Sequence, residues 1–123
     1  MSEMLANMEK LGSIDYSTEE QWTGQRWIDG KKIYQKTIDC GACPNSTVKS
    51  VAHNISNIND IIDVRGCTKI GTTYFSLPYV DRTNAANNLG VYANETTVYV
   101  TAGIDRSAMT PTYITLEYTK TTS

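Results

Sequence analysis

Residues 89–123, LGVYANETTVYVTAGIDRSAMTPTYITLEYTKTTS, decide the fold class. Leu89, Val91 and Ala93 alternate with Gly90, Tyr92 and Asn94. After an Asn-Glu turn, Val98, Val100 and Ala102 alternate with Thr97, Tyr99 and Thr101. A loop carrying Gly, Asp, Ser and Pro follows, and then Ile114, Leu116 and Tyr118 alternate with Tyr113, Thr115 and Glu117. Short period-two runs bounded by turn formers mark half-buried antiparallel strands. The chain is therefore expected to be all-β, an antiparallel sandwich or jelly-roll-like domain of seven or eight strands. The second face of these strands is unusual, because it is built of Tyr and Thr rather than Lys and Glu. Such a face suits a subunit interface or a ligand surface better than free solvation.

The composition bounds the rest. A chain of 123 residues makes one domain, able to bury roughly two thirds of the surface that its unfolded form exposes. The hydrophobic content is 40%, with a single Phe, so the eight Tyr and two Trp must supply much of the bulk. Their polar ends then need partners or water. Association with further copies would help so modest a core.

A net charge of −2 and basic residues scattered singly, apart from Lys31-Lys32, argue against a nucleic-acid partner. The same scatter argues against anionic membrane surfaces. No apolar run approaches the length of a membrane span, and none is expected to insert. The N-terminus, MSEMLANMEKLG, lacks the basic start and apolar stretch of a secretory signal, which points to synthesis in a cytoplasm without cleaved export. Within it, Met4, Leu5, Met8 and Leu11 fall on one helical stripe and Gly12 acts as a stop. Residues 1–12 thus read as a short helix: the tail of a longer stalk or coiled coil, or an overhang. Residues 13–123 read as the β head.

Ser17 with Glu20, and Thr18 with Gln21, fit a capping box and predict one helical turn. Asp29-Gly30, flanked by Trp27-Ile28 and Lys31-Lys32-Ile33-Tyr34, predicts a hairpin with a two-residue type I′ turn. Further strands are expected over 47–54, 61–70 and 74–80, with residues 56–60 as a turn or a single helical loop and Pro78 marking an edge or a bulge. Trp22 and Trp27 read as core or edge cover.

No catalytic constellation emerges, and the chain is not expected to be an enzyme. The lone His53, between Val51 and Ile55 in apolar alternation, reads as a hydrogen-bonded core residue. Cys40-Gly-Ala-Cys43 has CxxC spacing, but Cys67 and His53 are the only further soft ligands and no second paired motif completes a zinc site. All three cysteines are expected to be packing residues, with no metal and no cofactor. No Gly-rich loop leads into a helix to cradle phosphate. The three Asn-x-Ser/Thr triplets, at Asn45, Asn54 and Asn94, read as chance in an Asn- and Thr-rich chain.

The order of several segments is nevertheless similar to a known family. Tyr16-Ser-Thr-Glu-Glu-Gln21, Trp27-Ile-Asp-Gly-Lys31, Ile33-Tyr34 and Lys36-Thr37-Ile38 come first. Pro44-Asn45, Val51-Ala52-His53, Asn54-Ile55-Ser56-Asn57-Ile58 and Ile62-Asp63-Val64-Arg65-Gly66 follow. Gly103-Ile-Asp-Arg-Ser107 and Tyr113-Ile-Thr-Leu-Glu-Tyr-Thr-Lys120 close the series. Over residues 16–122 this resembles the C-terminal module of bacteriophage tail-fibre and related virion appendage proteins. The stretch Trp22-Thr-Gly-Gln-Arg26 departs from it, being longer or more polar than the usual link. The resemblance implies a homotrimeric head on a virion fibre or spike, joined to other appendage subunits and adhering to a glycan or protein receptor on the host cell. It transfers no ligand residues. Two alternatives stay open: a purely structural trimerisation or capping module, and a carbohydrate-binding module attached to an enzyme.

Recognition residues usually sit on loops held by a rigid scaffold. The two longest polar segments without alternation are 81–88 and 103–110. Asp81, Arg82, Asn84, Asn87 and Asn88 supply short donors and acceptors suited to hydroxyl-rich ligands, and Tyr79 just before them offers a ring. Asp105 and Arg106 add a charged pair. The competing reading is that Asn and Asp simply fill turns.

Overall fold

Alternation in the sequence becomes eight strands: β1 (Gln21–Arg26), β2 (Lys32–Gly41), β3 (Val48–Ala52), β4 (Ile58–Ile70), β5 (Thr73–Leu77), β6 (Leu89–Ala93), β7 (Thr97–Ala102) and β8 (Thr112–Lys120). The computed structural model describes residues 14–122, and all strand pairs among them are antiparallel. One sheet has the order β1-β2-β8-β4-β5 and the other β3-β7-β6. The chain crosses between sheets after β2, β3, β5 and β7, and turns back within a sheet at β1–β2, β4–β5 and β6–β7.

The two sheets share one core. Val98 and Val100 of β7 and Leu89 of β6 meet Ile38 and Cys40 of β2 and Ile114, Leu116 and Tyr118 of β8 in a single buried cluster that Met109 completes. The alternation read in β6 and β7 holds: Val98 and Val100 are fully buried, while Tyr99 and Thr101 between them are partly exposed. β8 departs from the half-buried expectation, because Thr115 and Thr119, on the face opposite Ile114, Leu116 and Tyr118, are also buried. Its position between β2 and β4 covers it on both flanks.

Four local expectations are corrected. The Asp29-Gly30 hairpin forms, but with a three-residue loop: Gly30 N–H donates to Trp27 O and Trp27 N–H to Lys31 O, both at 2.9 Å. Gly30 alone takes positive φ (+85°), and Asp29 stays at negative φ while its carboxylate accepts from Lys31 N–H at 3.0 Å. This is the type I turn followed by a left-handed residue, not type I′. The predicted helical turn at residues 17–21 is absent. Ser17 Oγ accepts from Glu19 N–H at 3.0 Å, and the Glu20 carboxylate turns away to Tyr118 O–H (2.6 Å) and Lys120 Nζ (2.8 Å). A partner at each oxygen of Glu20 outcompetes the reach back to a helix N-terminus.

Residues 58–60, expected as part of a turn, belong to β4, whose register shifts twice before Asp63. The shifts let Asn59 Nδ2 and Asp60 N–H both reach Thr119 Oγ1 at 3.3 Å. β5 ends at Leu77 rather than Val80. It lies at the edge of its sheet with Pro78 just beyond it, so the missing N–H of Pro78 breaks no ladder. The expected stripe Met4, Leu5, Met8 and Leu11 lies outside the described residues.

Candidate functional site

Loop 81–88 is closed at its neck by a two-hydrogen-bond bridge between Tyr79 and Leu89, 2.9 Å each way. Inside it Asp81 is the organiser. Its Oδ1 accepts from Thr83 N–H (2.9 Å), Thr83 O–H (2.7 Å) and Asn84 N–H (3.3 Å), and its Oδ2 from Asn87 Nδ2 (2.9 Å). These donors, Asn87 and Thr83 foremost, hold the Asp81 carboxyl well below the usual carboxylate range. Asn88 Oδ1 accepts from Asp81 N–H at 2.7 Å, and Asn84 caps the 3-10 turn Ala85–Asn87 through Ala86 N–H at 3.1 Å.

The second predicted loop packs against the first. Arg106 Nη2 donates to Asn87 O at 2.7 Å, and Gly103 lies so close to Ala86 that a Cβ there would come 2.5 Å from the Ala86 carbonyl oxygen. Asp105 does not pair with Arg106; it binds Ser107 through N–H (2.9 Å) and O–H (2.6 Å), which lowers its pKa. Ser46 N–H and Arg106 N–H reach across to Ile104 O and Pro44 O, so residues 44–46 join the same end. Most of the candidate ligand residues are therefore engaged in holding this loop end rigid. Arg82 is exposed, whereas Tyr79 is partly buried, edge-on to Phe75 (4.9 Å, 84°) and packed against the core.

The outer face of the small sheet carries the Tyr/Thr texture read in the sequence. The cross-strand rows are Val48–Thr101–Gly90, Ser50–Tyr99–Tyr92 and Ala52–Thr97, with no charged residue among them. Tyr92 and Tyr99 stack at 4.6 Å and 16°, and Tyr92 remains 50% exposed. Asn94 Nδ2 donates to Tyr99 Oη at 3.1 Å and steadies the pair.

A groove that the sequence did not reveal lies on the outer face of the large sheet. Thr37 of β2, Thr115 and Tyr113 of β8, and Arg65, Gly66 and Cys67 of β4 form its floor, and residues 16–18 form one wall. Its volume is about 550 Å³. Thr37 N–H donates to Ser17 O at 2.9 Å, which ties the wall to the floor. Arg65 Nη1 bridges Asp63 (2.5 Å) and Glu117 (2.6 Å), two carboxylates that face each other across β4 and β8. Alternation set Tyr113, Thr115 and Glu117 on one face of their strand, and the strand order β2-β8-β4 brings Thr37 and Arg65 beside them.

His53 is buried and hydrogen-bonded, as its apolar neighbours suggested. Ile55 N–H donates to its Nδ1 at 3.1 Å, which leaves the proton on Nε2 to donate to Asn94 O at 2.9 Å. Cys40 and Cys43 are packing residues at 3% exposure, and burial pushes the Cys40 thiol up to about 11. Cys67 corrects the expectation for all three, because it is exposed on the groove floor. Native maleimide labelling is expected to modify Cys67 alone, with Cys40 and Cys43 reacting after denaturation; modification of all three in the native state would refute the burial. Among the described residues no group of His, Cys, Asp and Glu is arranged to hold a metal, and no helix is long and apolar enough to cross a membrane. Compared with protein-family models, curated proteins and solved structures, the chain matches none.

Proposed function

We propose that the chain is the tip domain of a phage fibre or spike, a jelly-roll-like β-sandwich that works as a homotrimer and adheres to the host cell surface. The observation that carries this reading is the uncharged outer face of the small sheet around Tyr92 and Tyr99. Such a face gives contact area without charge desolvation, and packing it against identical neighbours would also shield the edge strands β3 and β6. Three copies of one weak receptor contact then gain avidity without any new interaction. The loop end, with Arg82 and Asn84 exposed and Asn87 and Asn88 partly so, is the receptor contact in this reading.

Light scattering after size exclusion is expected to give three times the 13.7 kDa chain mass. Tyr99→Glu is expected to shift the mass to that of one chain, since a carboxylate buried between subunits has no partner. A wild-type monomer at high concentration would remove the trimer from the proposal. Combined alanine substitution at Arg82, Asn84 and Asn87 is expected to abolish adhesion to host cells while the trimer persists. Unchanged adhesion would remove the loop as receptor site. A trimer with no adhesion at all would favour the purely structural module, a reading supported by how many loop side chains bind one another.

A further inference from the structure

We propose that the groove between Tyr16 and Tyr113 binds one ring of a neutral glycan. The inference rests on the adhesion reading and deepens it by naming a ligand class at a place separate from loop 81–88.

The groove has the size and make-up of a small-ligand site: about 550 Å³, walled by side-chain carbon, with few polar groups converging on it. Tyr16 on the wall and Tyr113 on the floor keep 69% and 38% of their surface exposed, so both rings can take an apolar partner. A pyranose has such a partner surface in its C–H face, with hydroxyls around the rim.

The floor supplies matching polar chemistry. Thr37 Oγ1 and Thr115 Oγ1 lie 2.9 Å apart, and each carries one hydroxyl hydrogen. One hydroxyl donates to the other, and the acceptor's own hydrogen has no acceptor among the described residues. Thr37 is half-buried and both threonines line the groove, so a ligand oxygen entering it could accept that hydrogen. Ser17 is in the same position at the wall: its Oγ accepts from Glu19 N–H, and its own hydrogen stays available.

Charge settles between neutral and anionic sugars. Arg65 is the cation of the groove, but its Nη1 is held by both Asp63 and Glu117, and Nη2 reaches Tyr16 Oη at 3.4 Å. One guanidinium against two carboxylates leaves a local excess of negative charge. The two carboxylates stand beside the groove and offset the one cation in its lining that could draw a sialic or uronic acid, whereas a neutral hexose or N-acetylhexosamine meets hydroxyls and rings.

Cys67 on the floor provides the measurement, because Cys40 and Cys43 are buried and silent. N-ethylmaleimide modification of Cys67 in the full-length protein is followed with glucose, galactose or N-acetylglucosamine, each in turn. N-acetylneuraminic acid and N-acetyltyrosine amide serve as charged and peptide-like counterparts. At least one neutral sugar is expected to slow the reaction, by about tenfold when present at ten times its Kd. Tyr113→Ala is expected to remove this protection and Ile28→Ser, on the distant β1–β2 turn, to leave it intact. Should Tyr113→Ala not fold, Tyr16→Ala gives the same reading, since Tyr16 is mostly exposed and lies outside the strands. Protection by none of the three neutral sugars, or by the charged or peptide-like compound alone, overturns the proposal. Host-cell adhesion is measured separately with the unmodified protein. Adhesion without any sugar protection leaves the adhesion reading standing and removes the glycan groove. Protection without adhesion keeps the groove and removes the adhesion reading.

Discussion

Truncating Leu116 to alanine is expected to lower the unfolding free energy by about 3 kcal/mol, and up to about 5 kcal/mol if the cavity does not collapse. Leu116 is fully buried at the middle of β8, paired with Lys36 of β2 on one side and Val64 of β4 on the other. Both flanking strands are fixed by their own ladders, so neither can move far into the space. For a domain whose total stability is about 5–15 kcal/mol, such a loss is a large fraction. Urea denaturation of the two proteins at equal concentration measures it. A midpoint unchanged by the substitution would contradict the burial, while Ile28→Ser at a 90% exposed position is the matching surface control, expected within about 0.5 kcal/mol of wild type.

Gly66→Ala is expected to be comparably damaging for the opposite reason. A Cβ at Gly66 would lie 2.4 Å from Tyr113 O and 2.6 Å from Ile114 Cδ1, and the first of these is backbone. The β4–β8 ladder must therefore give way, at about 1–3 kcal/mol or more for overpacking in a tight site. Because Gly66 pairs with Ile114 beside Tyr113, the same change should also disturb the groove floor. Loss of Cys67 protection by sugar together with a lowered urea midpoint is the expected pair of observations. Wild-type stability would show that the two strands are less closely apposed.

The strands were legible because each carries its own burial signal. Val98 and Val100 against Tyr99 and Thr101 state which face is inward, and no distant residue is needed to read it. The three-residue turn at Asp29-Gly30 was half legible: glycine announced the positive φ, but the loop length was fixed by Trp27 pairing with Lys31. The capping-box pattern at Ser17 misled because Glu20 has a stronger claim on it from Tyr118, 98 residues away. The expectation for Cys67 failed for a related reason: its exposure depends on which face of the large sheet it occupies, and its neighbours in sequence do not state that. The polar loop at 81–88 could be located from composition, but that Asp81 spends its carboxylate on Thr83, Asn84 and Asn87 could not. The groove was the least legible feature, since Tyr16, Thr37, Arg65 and Tyr113 come from four separate segments that meet only through strand order.

The chain order of the large sheet has a consequence for biosynthesis. β8 joins β2 to β4, yet it is translated after every other strand. While residues 112–120 are still within the ribosome, β1-β2 and β4-β5 are two separate ribbons with no common edge, and the inner face of β7 lacks Ile114, Leu116 and Tyr118 to cover it. Two-stranded ribbons are marginal alone in water, so the nascent protein cannot settle into its native sheet step by step. The large sheet closes only when β8 pairs with both ribbons, and without it β2 and β4 each present an unpaired edge.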